Sequence, residues 1–184
     1  MAVGLLGVVI PSILGVVMQT QATFKQTSDR SRSNDQAELA VNRLDRLIRS
    51  GNFLYDPSTE SDPSNGILPG LSLRVYTQAN SIQKCVQWRI VDATLQERSW
   101  SPAWQTDGVV TGWWNVADGV TNTTETPAFS LDPSPGFGGR LLMVDLRVNV
   151  SSDATTDAAR QLSIEGRNTQ YGYDPSVCAS SPPA

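Results

Sequence analysis

The residues of this chain that could do chemistry are few and widely spaced. Asp153 and Asp157, in SSDATTDAA, set two carboxylates close together and invite comparison with a calcium loop. The run lacks the central glycine and the closing glutamate that such a loop needs for its turn and its bidentate ligand, so a solvated hairpin turn is expected. Trp100, Trp104, Trp113 and Trp114 gather four of the five indoles into one short span. Displayed on a surface they would stack on a sugar or a cell-wall polymer; on strands, tryptophan more commonly fills a core or a subunit interface. Serine and aspartate abound, but histidine is absent. Without it, and without a G-x-S-x-G elbow, no hydrolytic triad can be assembled. GFGG at Gly136 to Gly139 lacks the lysine and flanking elements of a phosphate loop. The expectation is a non-enzyme with no catalytic residue, metal site or cofactor.

Two further residue sets concern covalent modification. Cys85 and Cys178 lie too far apart for a C-x-x-C redox or metal motif. In an oxidising, extracytoplasmic setting they could form one disulfide tying the C-terminal tail to the middle of the domain, worth about 4 kcal/mol in the chain-entropy model. In a reducing one they would be two unrelated thiols. Asn122-Thr123-Thr124 and Asn149-Val150-Ser151 match the N-glycosylation sequon, which recurs by chance and matters only in a glycosylating host. The net charge of -4 leaves no basic footprint for nucleic acid.

The elements that must carry these residues begin with an uncharged run, MAVGLLGVVIPSILGVVM, Met1 to Met18. As a helix its 18 residues would span about 27 Å, the short end of a bilayer crossing. Leu5, Leu6, Val8, Val9, Ile10, Ile13, Leu14, Val16 and Val17 supply its apolar surface, with Pro11 as a candidate kink. A secretory signal is one alternative, but no lysine or arginine precedes Lys25 and no small-x-small cleavage site is evident. A buried core helix is another, disfavoured by Gly4, Gly7, Pro11 and Gly15, which membranes tolerate better. A membrane or helix-bundle anchor is the preferred reading.

Residues 19–50 continue the helical pattern without a break. Gln19 to Ser33 is polar, with only Ala22 and Phe24 apolar, and is expected to be solvated or packed on neighbours. From Asn34 the stripe Ala37, Val41, Leu44 and Ile48, widened by Ala40 and Leu47, gives a face for packing on a sheet. Val41, Leu44, Leu47 and Ile48 are the expected contacts, with Asp45 and Arg49 an i, i+4 pair on the far side and Gly51 the terminator. Residues 51–184 read as a β-rich extracytoplasmic domain. Tyr55 to Gly70 is loop. Strands are expected at Leu71–Val75, Cys85–Val91, Thr94–Trp100, Val109–Val116, Ala128–Leu131, Arg140–Val150 and Gln161–Arg167, with a hairpin at Asp92-Ala93. The fold class is α+β: one long N-terminal helix on one face of an antiparallel sheet of five or six strands.

Taken together, the apolar run, the helix ending ELAVNRLDRLIRSG and the strand pair CVQWRIVDATLQERSW resemble the type IV pilin-like proteins. Within that group the likeness is to minor pilins and type II secretion pseudopilins of the W/J type. Their helix closes on an L-x-R-x-I/L-R phrase, matched by Leu44, Arg46, Ile48 and Arg49, and WWNVADGVTN, RLLMVDLRVNV and IEGRNT also fit. The family's basic leader and G-F-T-L-x-E phrase, where a peptidase cuts and the new N-terminus is methylated, are not found; Met1-Ala-Val-Gly-Leu-Leu is similar to family sequence further in. The expectation is a chain that starts late; about ten more apolar residues would lengthen the run to a comfortable membrane span. The resemblance implies a pilin-like fold and a structural role in a pilus or a secretion or competence filament. The helix would hold the subunit in the bacterial cytoplasmic membrane, single-pass, and then pack among other subunits' helices in the filament at the cell surface. Prepilin peptidase and an assembly platform are the implied partners, with no nucleic-acid contact. The competing expectation is an anchored or secreted β-domain that binds carbohydrate or cell wall through its tryptophans.

Overall fold

A computed structural model describes residues 2–134, 136, 139–151, 153–166 and 172–183, with side chains from Leu14 onward, Ala154 excepted. Helix α1 runs from Ala2 to Arg49, at 1.5 Å per residue a rod about 72 Å long. Its end is capped from two sides. The Ser50 hydroxyl donates to the Arg46 and Leu47 carbonyls, and Thr77 Oγ1 donates to the Leu47 and Ser50 carbonyls at 3.2 and 3.0 Å. These take up acceptors that a helix C-terminus leaves unpaired, while Arg46 and Arg49 complement its dipole. Gly51 then lets the chain reverse: a Cβ there would stand 2.7 Å from the Ile48 carbonyl oxygen.

The strands are β1 (Gly51–Leu54), β2 (Ser72–Thr77), β3 (Lys84–Val91), β4 (Thr94–Trp100), β5 (Trp114–Asp118), β6 (Phe129–Leu131), β7 (Leu141–Val148) and β8 (Ala158–Glu165). A one-turn helix, α2 (Trp104–Asp107), interrupts the run between β4 and β5. The sheet is two sheets, β1-β2-β3-β4-β5 and β6-β7-β8, with all neighbours antiparallel. The Asp92-Ala93 hairpin forms with both residues at positive φ, 49° and 57°, the geometry of a type I′ turn.

Three expectations are corrected. The strands number eight among the described residues rather than five or six: each of the seven expected segments holds one, and the short β1 is added within the stretch after the helix. The helix packs on both sheets rather than one face of one. The expected strand at Val109–Val116 starts only at Trp114: Gly108 turns left-handed at φ 68° and only Val110 bridges to Trp100 before β5 begins. The end of the last expected strand, Arg167, and the last residues of IEGRNT lie outside the described residues.

What joins the layers is one apolar core. Leu44, Leu47 and Ile48 of α1 meet Leu73 and Val75 of β2, Val86, Trp88 and Ile90 of β3, and Leu142, Val144, Leu146 and Val148 of β7. The sheets meet where Val120 bridges Val148 and the Asn149 amide donates to the Gly119 carbonyl. A second, smaller cluster lies around Cys85, Cys178, Tyr76 and Trp100.

Candidate functional site

Helix α1 has two halves with different surroundings. From Ser33 to Ile48 it is seated. Ala37, Leu44, Leu47 and Ile48 are buried and Val41 is half-buried. Polar contacts fix its position. Arg43 donates from Nε and Nη2 to the Glu97 carboxylate at 3.0 and 2.7 Å, and Trp88 Nε1 donates to the same carboxylate at 3.0 Å. The charged hydrogen bond raises the Arg43 pKa further above its ordinary value. Ser33 Oγ accepts from the Val150 amide, Asn34 Oδ1 from Arg160 and Gln36 Oε1 from the Asp118 amide. Asp45 and Arg49 pair as expected, at 2.8 Å on the exposed side.

From Leu14 to Arg32 the helix is largely open to solvent, meeting the domain only toward its end, where Arg32 lies beside Asp118, Gly119, Asn149 and Val150. All of these residues are exposed except the half-buried Asp29, and the one hydrogen bond of this segment to the domain among those described runs from Gln26 Nε2 to Thr155 Oγ1 at 2.5 Å. Leu14, Val16 and Val17 project into the open, and Phe24 is 76% exposed. Pro11 and the side chains of Leu5, Leu6, Val8, Val9, Ile10 and Ile13 lie outside the described ones. Among the described residues no helix is long and apolar enough to cross a membrane.

The polar stretch is less polar than its composition. Thr20, Thr23 and Thr27 each turn the hydroxyl back to the carbonyl four residues earlier, at 2.8, 3.0 and 2.9 Å. Each hydroxyl is thereby satisfied within the helix. These threonines also share a register with the seated face. Val16, Thr20, Thr23, Thr27, Arg30, Asn34, Ala37, Val41, Leu44 and Ile48 alternate steps of four and three, the spacing of a helix–helix seam. On a straight helix such a stripe drifts about 20° per heptad. Sequence reading based on hydrophobicity stops this stripe at Ala37; counting threonine as seam-compatible carries it back to Val16.

The outer face of the five-stranded sheet is polar yet covered. Arg74 donates to Glu60 Oε1 from Nε and Nη2 at 3.1 and 2.6 Å, and Gln87 Nε2 reaches Glu60 Oε2 at 3.3 Å. Gln87 Oε1 accepts two bonds from Arg98, at 3.1 and 2.9 Å. Arg98 is 1% exposed, and burial, with Arg89 nearby, pushes its pKa down to about 10. Cys85 and Cys178 form a disulfide at this face, with Cα atoms 5.8 Å apart.

The four clustered tryptophans do not form a common platform. Trp100 is buried beside the disulfide and Trp104 packs on that cluster half-buried. Trp113 is stacked by Arg89 and Arg98, whose guanidinium carbons lie 4.0 and 4.4 Å from the ring centre. Trp114 lies under Arg43 at 5.1 Å. Asp153 caps the turn that leads into β8, accepting from the amide and hydroxyl of Thr155 at 2.9 and 2.8 Å, and those bonds lower its pKa. Asn122 is almost fully buried: Nδ2 donates to the Thr126 and Asp145 carbonyls at 3.0 and 2.8 Å, and Oδ1 accepts from the Arg147 amide at 2.9 Å. Neither a protein-family model nor a curated protein sequence matches this chain.

Proposed function

We propose that this chain is a structural subunit of a type IV pilin-like filament, as a minor pilin or pseudopilin of a pilus or of a secretion or competence system. The observation that carries the reading is the division of α1. One half is seated in the domain, and the other projects with its apolar side chains and its back-bonded threonines exposed. A helix that exposes Leu14, Val16, Val17 and Phe24 to water is costly, since each buried methylene is worth about 0.8 kcal/mol. A second environment for it, first lipid and then neighbouring helices, removes that cost. In this reading Met1 to Met18 anchors the subunit in the cytoplasmic membrane with the β-domain outside. A peptidase and an assembly platform then process and extract it, and the stripe Val16, Thr20, Thr23, Thr27 meets other subunits. Back-bonded threonine hydroxyls can enter such contacts without an unmet hydrogen bond.

The test uses the full chain produced in cells that assemble filaments, followed by shearing and immunoblotting. Thr23→Glu should abolish recovery of the chain in the filament fraction while leaving the domain's unfolding midpoint unchanged. Undiminished recovery of that variant, or a chain lacking Met1 to Met18 that still fractionates with membranes and filaments, overturns the reading.

A further inference from the structure

The segment after Gly172 crosses the outer face of the five-stranded sheet without joining it: none of residues 172–183 is in a strand. It is held at a few points. Tyr55 Oη donates to the Pro175 carbonyl at 2.5 Å and accepts from the Cys178 amide at 3.1 Å. Arg74 Nη1 donates to the Cys178 and Ala179 carbonyls at 2.9 and 2.8 Å. Arg98 Nη1 donates to the Pro183 carbonyl at 3.2 Å. Tyr173 meets Tyr76 edge-on, and the Cys85–Cys178 bond is the covalent tie.

What the strap covers differs from a core. Beneath it lie Arg74, Gln87, Glu60 and Arg98, and a polar cavity of about 310 Å³ opens between the strap and the Thr59–Asp62 loop. None of its residues belongs to the main apolar cluster; Cys178, Tyr173 and Val177 belong to the small separate one. Lifting it uncovers the small cluster around Tyr76 and Trp100 but leaves the main core untouched, and Arg98 regains solvent that burial denies it. Arg98 has no carboxylate within ion-pair distance among the described residues, so its bonds to Gln87 and the strap are to neutral oxygens. A buried cation held by neutral acceptors resists burial more than it rewards it.

We infer that residues 174–183 form a redox-latched strap: the Cys85–Cys178 bond holds it over the arginine-lined sheet face, and reduction releases it while the two-sheet core stays folded. The co-reactant is a dithiol. Its thiolate attacks one sulfur to give a mixed disulfide, and its second thiol displaces the other. Two electrons pass to the protein, each cysteine sulfur ends as a thiol with one proton, and the dithiol closes to a cyclic disulfide. Both cysteines are fully buried. Attack therefore follows local fraying of the strap, whose residues Pro175, Ser176, Ala179 and Ser180 are exposed on either side of Cys178.

Hydrogen-exchange mass spectrometry on the full chain, with and without dithiothreitol in native buffer, decides the matter, with iodoacetamide reporting the thiols. The expected result is two added labels and loss of protection confined to residues 172–183 and the Tyr55–Asp62 loop, with β3, β7 and β8 unchanged. Cys85→Ser/Cys178→Ser should show the same pattern without reductant. Labelling that appears only together with loss of protection in β7 and β8 would mean the bond staples the whole fold, and overturns the inference. A strap that stays protected after both cysteines are labelled overturns it as well.

Discussion

A carboxylate that is 2% exposed has to be matched by more than one donor, and Glu97 takes three: two from Arg43 and one from Trp88. Glu97→Ala leaves the guanidinium and the indole N–H without an acceptor, and should cost about 3 kcal/mol in urea unfolding. Asn122 is engaged in the same way, through three bonds to backbone groups. Asn122→Ala should cost about 2 kcal/mol. Its amide hydrogens are both in use, so peptide mass spectrometry of the chain made in a glycosylating host should find Asn122 unmodified despite its sequon. Turn aspartates contribute to acid stability. Asp62, Asp107, Asp132, Asp153 and Asp174 all sit below the ordinary value of 3.8, chiefly through hydrogen bonds from nearby hydroxyls and amides. A carboxyl depressed in the folded state stabilises above its unfolded value and stops doing so as pH falls through the folded one. The melting temperature should therefore be flat above about pH 5 and fall below about pH 4. A decline that begins near neutrality would contradict this.

At the scale of elements, α1 separates two effects that a uniform helix would confound. Leu44→Ala, in the seated half, should cost about 3 kcal/mol of unfolding free energy. Thr23→Glu, in the projecting half, should leave that quantity unchanged. Much of this element was legible beforehand: the stripe at Ala37, Val41, Leu44 and Ile48, the stop at Gly51, and the Asp45–Arg49 pair all depend on neighbours within two turns. The paired strands β3 and β4 were legible for the same reason, through alternation and a two-residue turn. β1 was not, since four residues are too few to display a period. The partner of Arg43 is not legible locally, because it lies 54 residues away on β4. Arg74 was legible as the outward residue between Leu73 and Val75, but not as buried, because what covers it arrives from the far end of the chain. The possible disulfide was on view as a pair of cysteines, and the fold supplies the proximity that spacing could not.

For the whole molecule, the core gathers, among the described residues, those from Ala37 to Ile164 and none from Leu14 to Arg32. Removing Met1 to Met18 should therefore leave a folded domain with an unfolding free energy within about 0.5 kcal/mol of the full chain's; aggregation of the truncated chain would show that the two parts are not separable. The contacts that seat α1 join opposite ends of the sequence: Asn34 to Arg160 across 126 residues, Ser33 to Val150 across 117 and Gln26 to Thr155 across 129. A ribosome making about 5–20 residues per second needs roughly 6–25 s to cross that interval. Through that time α1, with its bare face of Ala37, Leu44 and Ile48, waits for the β7–β8 hairpin to appear. The apolar face of the helix is thus complete long before the β7–β8 hairpin that covers part of it has been made.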